Sequence, residues 1–332
     1  MNAAITGCAG FIGSHLAERI VASGGFVVGF DSLLTGRLEN IQALRGDPAF
    51  RFHRLDVAER GDAFVRLTVE SLSPIDTVFH LASPASPSDY ARCPLETVAA
   101  NSRGTEHAIA LAEIVGARLV LASTSEVYGE PLEHPQREEH WGHVNPVGPR
   151  SPYDESKRFA EMLVALHVRL GRLEATIARI FNTYGPRMRP DDGRVIPSFL
   201  ERALAGRELI VEGDGTQTRS FLYVDDLVDG LIAAAGLSRG ELIVNLGNPR
   251  ETTILELAEI VCELLEVPQR LVHGDLPTDC PTRRRPDIAR ARRFLGWEPQ
   301  VELREGLART IEHLAQQRRN LVTRALHGPR AS

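Results

Sequence analysis

The chain has 332 residues, of which 43% are hydrophobic and 25% charged, and its formal net charge is −6. That composition belongs to a globular protein of one large or two modest domains, and the negative balance argues against nucleic acid as the main partner. The four cysteines, at 8, 93, 262 and 280, show neither CxxC pairing nor metal-like spacing with histidine, and no apolar run approaches the roughly 20 residues of a membrane span. A reduced, cytoplasmic protein with no metal and no membrane anchor is the expectation.

In chain order, "NAAIT" reads as a short buried strand, followed at once by the glycine turn and helix of "GCAGFIGSHLAERIVASGG". "FVVGFD" and "FRFHRLDV" are the second and third strands, and "IDTVFHLA", "ARLVLAST" and "EATIARIFN" continue the series with helical stretches between them. Strands alternating with helices over some 180 residues predict an α/β, Rossmann-type, doubly wound parallel sheet. After Gly185 the pattern loosens. "GPRMRPDDGRVIP" and "VEGDGTQTRSF" are polar and glycine-rich and read as loops with short strands. "VDDLVDGLIAAAG" and "TILELAEIVCELL" have helical periodicity, with "LIVNLG" a strand between them. The expected division is a nucleotide-binding domain over 1–185, to which segments near 224–250 return, a smaller C-terminal substrate-binding lobe over 186–318, and a tail over 319–332.

Gly7, Gly10 and Gly13 form G-x-x-G-x-x-G between a strand and a helix. The first glycine permits a tight turn, the second lets the backbone approach a pyrophosphate, and the third allows close helix–strand packing. In this context the motif points to a dinucleotide. Asp31 ends the second strand, where a carboxylate accepts hydrogen bonds from the adenosine ribose and repels a 2′-phosphate, which favours NAD over NADP. Asp56 and Val57, closing the third strand, are candidates for contacting the adenine. Arg37 is the nearby cation that an NADP site would need.

Lys157 is the sole lysine; the other 37 of the 38 basic residues are arginine. It follows Tyr153 by four residues in "SPYDESKRFAE", where Ser151 reads as a helix N-cap and Pro152 as the first helical residue. Tyr153 and Lys157 therefore share a helix face. A tyrosine acting as a base must lose its proton near neutral pH, far below its reference value of about 10. A neighbouring ammonium and an oxidised, positively charged nicotinamide both stabilise the phenolate, and a compact ammonium fits the ribose hydroxyls better than a broad guanidinium.

These residues resemble the extended short-chain dehydrogenase/reductase family, and within it the UDP-glucuronate decarboxylase (UDP-xylose synthase) group. The stretches that carry the likeness are "HLASPASPSDY", "STSEVYGEPLEHPQ", "WGHVNPVGPRSPYDESKR", "ARIFNTYGPRMRPDDGRV", "GDGTQTRSF", "NLGNP" and "RRRPDI". The resemblance implies a tightly held NAD, contacted by Gly7, Gly10, Phe11, Ile12, Gly13, Asp31, Asp56, Val57, Leu81, Tyr153 and Lys157. It implies a UDP-sugar partner, UDP-glucuronate, held by Tyr90, Asn182, Arg194, Arg219 and Arg284, with Arg283 and Arg285 alternatives to the last. It also implies a homodimer built through helices such as the one starting at Ser151.

The chemistry implied is NAD-dependent oxidation of the C4 hydroxyl, loss of CO2 from the 4-keto acid and re-reduction by NADH to UDP-xylose. Tyr153 would take the hydroxyl proton, Thr124 would hydrogen-bond the same oxygen and Lys157 would tune Tyr153. Glu126 selects the reaction type. The resembling triplet in 4,6-dehydratases is Thr-Asp-Glu, whereas here it is Thr124-Ser125-Glu126, and serine cannot protonate a leaving hydroxyl as a carboxylic acid can. Glu126, with Ser125 and Arg284, is assigned to the carboxylate and the C5 proton. A UDP-glucuronate 4-epimerase, or another nucleotide-sugar epimerase or dehydratase, is the alternative enzyme. Two departures stand out: Cys8 where the family has glycine, expected near the pyrophosphate as an inhibitable thiol, and Ala99 where the family has a lysine, with Arg92 or Arg103 as possible substitutes.

Overall fold

The computed structural model describes residues 1–71, 74–237, 242–275 and 283–327. Its large sheet is built from β1 (Ala3–Thr6), β2 (Val27–Asp31), β3 (Phe50–Arg54), β4 (Thr77–His80), β5 (Arg118–Thr124) and β6 (Ala175–Ile180). Between and after them run α1 (Phe11–Ala22), α2 (Gly61–Val69), α3 (Pro87–Arg92), α4 (Pro94–Asn101), α5 (Arg103–Val115) and α6 (Ser151–Arg169). Next come β7 (Thr183–Tyr184), α7 (Val195–Leu204), β8 (Leu209–Glu212), β9 (Thr218–Arg219), β10 (Leu222–Tyr223) and α8 (Val224–Ala235). The chain continues with β11 (Ile243–Leu246), β12 (Thr252–Thr253), α9 (Ile254–Leu265), β13 (Leu271–Gly274) and α10 (Leu303–His327).

The seven-stranded sheet has the order β11-β6-β5-β4-β1-β2-β3, parallel throughout. Its inner strands are covered on both faces and read as apolar runs, whereas the edge strand β3 (FRFHR) alternates and leaves Arg51 and Arg54 exposed. Ala3 and Ile5 of β1 pack toward α1 and α8, and Ala4 packs toward α2, α5 and α6. The first of these cores continues into the C-terminal part through Tyr184, Phe199, Val211, Phe221 and Leu257. The strand order reverses between β1 and β4, so a crevice opens there at the carboxyl ends of the strands.

Three local readings differ. α7 (Val195–Leu204) is a helix whose first three residues fall at the end of "GPRMRPDDGRVIP", the stretch that reads as loop. Pro197 is tolerated there because it lies in the first turn, and Ile196, Phe199, Leu200 and Ala203 bury one face. α6 begins at Ser151 itself, capped by Arg150 without a side-chain hydrogen bond, so Ser151 is not the N-cap. α10 runs to His327, through the beginning of the stretch set apart as a tail.

Candidate active site

A cleft of about 560 Å³ opens at the strand-order reversal. Its wall brings together every residue assigned above to cofactor, substrate or chemistry, from Gly7, Phe11 and Asp31 to Arg219 and Arg284. Gly7 has φ +70°, and a methyl group on it would lie 2.9 Å from the Ala82 nitrogen; one on Gly13 would collide with the Gly7 carbonyl. The turn thus works only with glycines, and α1 starts from Gly10 with no side chain capping its N–H groups. Asp31 Oδ2 accepts from the Ala9 N–H at 2.9 Å and Oδ1 from the Leu33 N–H at 2.8 Å. Burial raises its carboxyl pKa, with these backbone bonds pulling the other way. Arg37 is not part of the cleft wall and lies 3.6 Å from Asp191. Uncapped N–H groups, a side-chain-free cradle and a buttressed strand-end carboxylate fit a dinucleotide.

Tyr153 and Lys157 lie on α6, and both are buried. The Tyr153 ring stacks on Tyr90, with centroids 5.2 Å apart and planes 10° from parallel. The Lys157 ammonium donates to the Ala122 carbonyl of β5 at 2.8 Å and sits 5.9 Å from the Tyr153 centroid. Burial pushes the Tyr153 phenol up to about 12, opposed by its hydrogen bond with Thr124. Burial brings Lys157 down to about 7, with Glu161 one turn on opposing the shift. With these protein groups alone the phenol therefore keeps its proton near neutral pH. The acidity that the sequence ascribes to the ammonium needs the positive ring of an oxidised cofactor as well.

Glu126 follows Thr124 in the short helical turn Ser125–Tyr128, and its N–H donates to Thr124 Oγ1 at 3.2 Å. Arg284 holds both of its oxygens, at 2.8 Å to Oε1 and 3.0 Å to Oε2, and also donates to Asn182 Oδ1 at 3.2 Å. Arg150 donates to Oε2 at 2.7 Å. Burial alone would raise the Glu126 carboxyl, but the Arg284 and Arg150 guanidiniums reverse that and hold it below the ordinary range. Asp154 is pushed up to about 7 by burial and by the Glu126 charge. Arg194 donates to the Ala85 carbonyl at 2.8 Å, and Arg219 to that of Thr218 at 2.8 Å.

The register at 283–285 resolves to Arg284, which is buried at the cleft; Arg283 is exposed, and Arg285 faces Glu251 at 3.6 Å. Ala99 lies off the cleft wall, where Glu96 and Ala100 represent α4. Neither Arg92 nor Arg103 takes the place of a lysine there: neither lines the cleft, and Arg92 pairs with Asp89 at 3.0 Å. Cys8 is also corrected. Its side chain is fully buried against Gly29 of β2, and burial raises its thiol, so it is no accessible nucleophile. Sequence reasoning missed Arg150 and Asp154; their only signal was proximity to Tyr153, which says nothing about direction.

With this geometry in place, the chain belongs to the NAD dependent epimerase/dehydratase family, whose model matches residues 3–247. Among curated relatives it is 47% identical over 309 residues to UDP-glucuronic acid decarboxylase 1 of Arabidopsis thaliana, covering 92% of this chain and 68% of that one. It is 46% identical to UDP-glucuronic acid decarboxylase 1 of Danio rerio, covering 94% and 72%. Among solved structures it resembles UDP-glucuronic acid 4-epimerase from Bacillus cereus in complex with UDP-glucuronic acid and NAD, with TM-score 0.82, 28% identity, and coverage of 96% and 100%.

Proposed function

We propose that this protein decarboxylates UDP-glucuronate to UDP-xylose. The observation that carries the reading is Glu126 set between two guanidiniums on the wall that also holds Tyr153 and Lys157: a site equipped to receive a second carboxylate next to a hydroxyl-oxidising pair. The likeness to two UDP-glucuronic acid decarboxylases supports it.

Residues Gly7, Gly10, Phe11, Ile12, Gly13, Asp31, Asp56, Val57 and Leu81 hold NAD, which supplies a reversible hydride acceptor for C4. Tyr153 takes the C4 hydroxyl proton and later returns it, and Thr124 hydrogen-bonds the same oxygen. Lys157 in its protonated form, 5.9 Å from the Tyr153 ring centroid, favours the phenolate. Arg284 orients the substrate carboxylate by a bidentate contact. The C4 ketone accepts the electron pair of the C5–carboxylate bond and CO2 departs. C5 takes its proton from solvent, oriented by the Glu126 carboxylate and Ser125. Tyr90, Asn182, Arg194 and Arg219 hold the UDP. In this reading the cofactor residues all fall within 1–185, while the sugar nucleotide is shared between that part (Tyr90, Asn182) and the C-terminal lobe (Arg194, Arg219, Arg284).

The proposal includes a cytoplasmic homodimer. Leu95 and Val98 of α4 and Phe159, Met162, Leu166 and Leu170 on and just after α6 are exposed and apolar, a surface of the kind subunits cover. Cys8, Cys93 and Cys262 are free thiols. No helix among the described residues is long and apolar enough to cross a membrane. Incubation with UDP-glucuronate is expected to release CO2 and UDP-xylose in equal amounts, with no cofactor consumed. Return of UDP-galacturonate with its carboxylate intact would instead make the protein an epimerase.

A further inference from the structure

Arg150 has no part in the scheme above, yet three groups hold it at the cleft. Its Nη2 donates to Glu126 Oε2 at 2.7 Å, its Nε lies 3.9 Å from Asp154 Oδ2, and its guanidinium is 5.8 Å from the Tyr90 ring centroid. Its side chain is 15% exposed. The groups facing Glu126 are Arg150, Arg284, Arg219, Asp154, Tyr153 and Tyr90.

Arg284 has two claims on it. Its fork is spent on both oxygens of Glu126. Under the decarboxylase reading it must turn at least one N–H to the substrate carboxylate, which then stands near Glu126 as a like charge. A buried carboxylate that loses its cation and gains a like charge takes up a proton. Arg150 approaches Glu126 from the α6 side rather than from the 284 loop, so it keeps its bond when Arg284 turns.

We propose that Arg150 is a positioning residue for the decarboxylation step, keeping Glu126 ionised and in place while Arg284 holds the substrate carboxylate. The proposal rests on the decarboxylase reading. Asp154, one turn along α6, is the weaker claimant on Arg150 and leaves it facing Glu126.

The test compares wild type, Arg150→Met and Arg150→Lys, each with its cofactor bound, in single turnovers of UDP-glucuronate across a pH series. Two rates are read: reduction of the cofactor, which reports C4 oxidation, and formation of UDP-xylose. Arg150→Met is expected to keep the first rate within about threefold. Its pentose formation falls about tenfold to hundredfold, the measure of one charge-assisted hydrogen bond. Its acid limb moves to higher pH, because removing a cation raises the pH at which Glu126 gains a proton. Arg150→Lys restores the acid limb but only part of the rate, since an ammonium lacks the guanidinium fork. Equal loss of both rates, or an unmoved acid limb in Arg150→Met, overturns the proposal while the functional reading stands. Absence of CO2 release by the wild-type protein overturns the reading and the proposal together.

Discussion

Replacing Tyr153 by phenylalanine is expected to lower turnover of UDP-glucuronate by about 10²–10⁴-fold while the protein keeps its cofactor. The change deletes one hydroxyl and leaves the ring, so the stack on Tyr90 and the bond from Lys157 to Ala122 persist. What is lost is the hydroxyl hydrogen-bonded with Thr124, the proposed base. Tyr90 cannot stand in for it: burial raises its phenol too, and its hydroxyl has no hydrogen-bond partner of its own. The checks are steady-state rates together with the ratio of cofactor to protein released on denaturation. Unchanged rates would place the base elsewhere; lost cofactor would mean that the residue acts in binding.

Glu126→Gln is expected to slow decarboxylation about hundredfold or more and to spare C4 oxidation. Glutamine keeps the shape but removes the charge shared by Arg284 and Arg150, leaving the buried Arg284 without its anion and Arg150 with only Asp154 at 3.9 Å. Breaking a buried ion pair in this way costs about 3–5 kcal/mol of stability, so a lower melting temperature should accompany the kinetic defect. The ratio of the two steps in one sample does not depend on the fraction folded, which makes it the proper readout. Release of a 4-keto intermediate or of reduced cofactor agrees with the assignment, and equal loss of both steps contradicts it. The KM for UDP-glucuronate should not rise, because Arg284 is freed rather than removed.

The sheet was legible because parallel strands buried on both faces leave apolar runs, and because a glycine turn that admits no Cβ leaves its spacing in the sequence. The sole lysine marked α6 for the same kind of reason: its neighbours offered no alternative. Arg150 was not legible. It is one of 37 arginines, and its meaning depends on a chain path that brings it back to Glu126, 24 positions earlier. Cys8 misled because a residue between two functional glycines need not face the ligand; this one turns under β2, into the space that Gly29 leaves. The start of α7 looked like loop because Pro197 and the glycine-containing stretch before it hid a helix whose apolar face is completed by packing on α9, β8 and residues 190–192. Local pattern thus reached the backbone and the phosphate cradle, while the charge arrangement around Glu126 is a product of tertiary structure.

The claim on which the chemistry depends is that carbon dioxide departs only after the neighbouring sugar carbon has become a ketone, with that carbon's own hydrogen stored and given back. UDP-glucuronate labelled with deuterium at C4 measures this directly. The expected product is UDP-xylose with deuterium retained at C4 and one solvent-derived hydrogen at C5; a pentose that has exchanged its C4 label with solvent would contradict it.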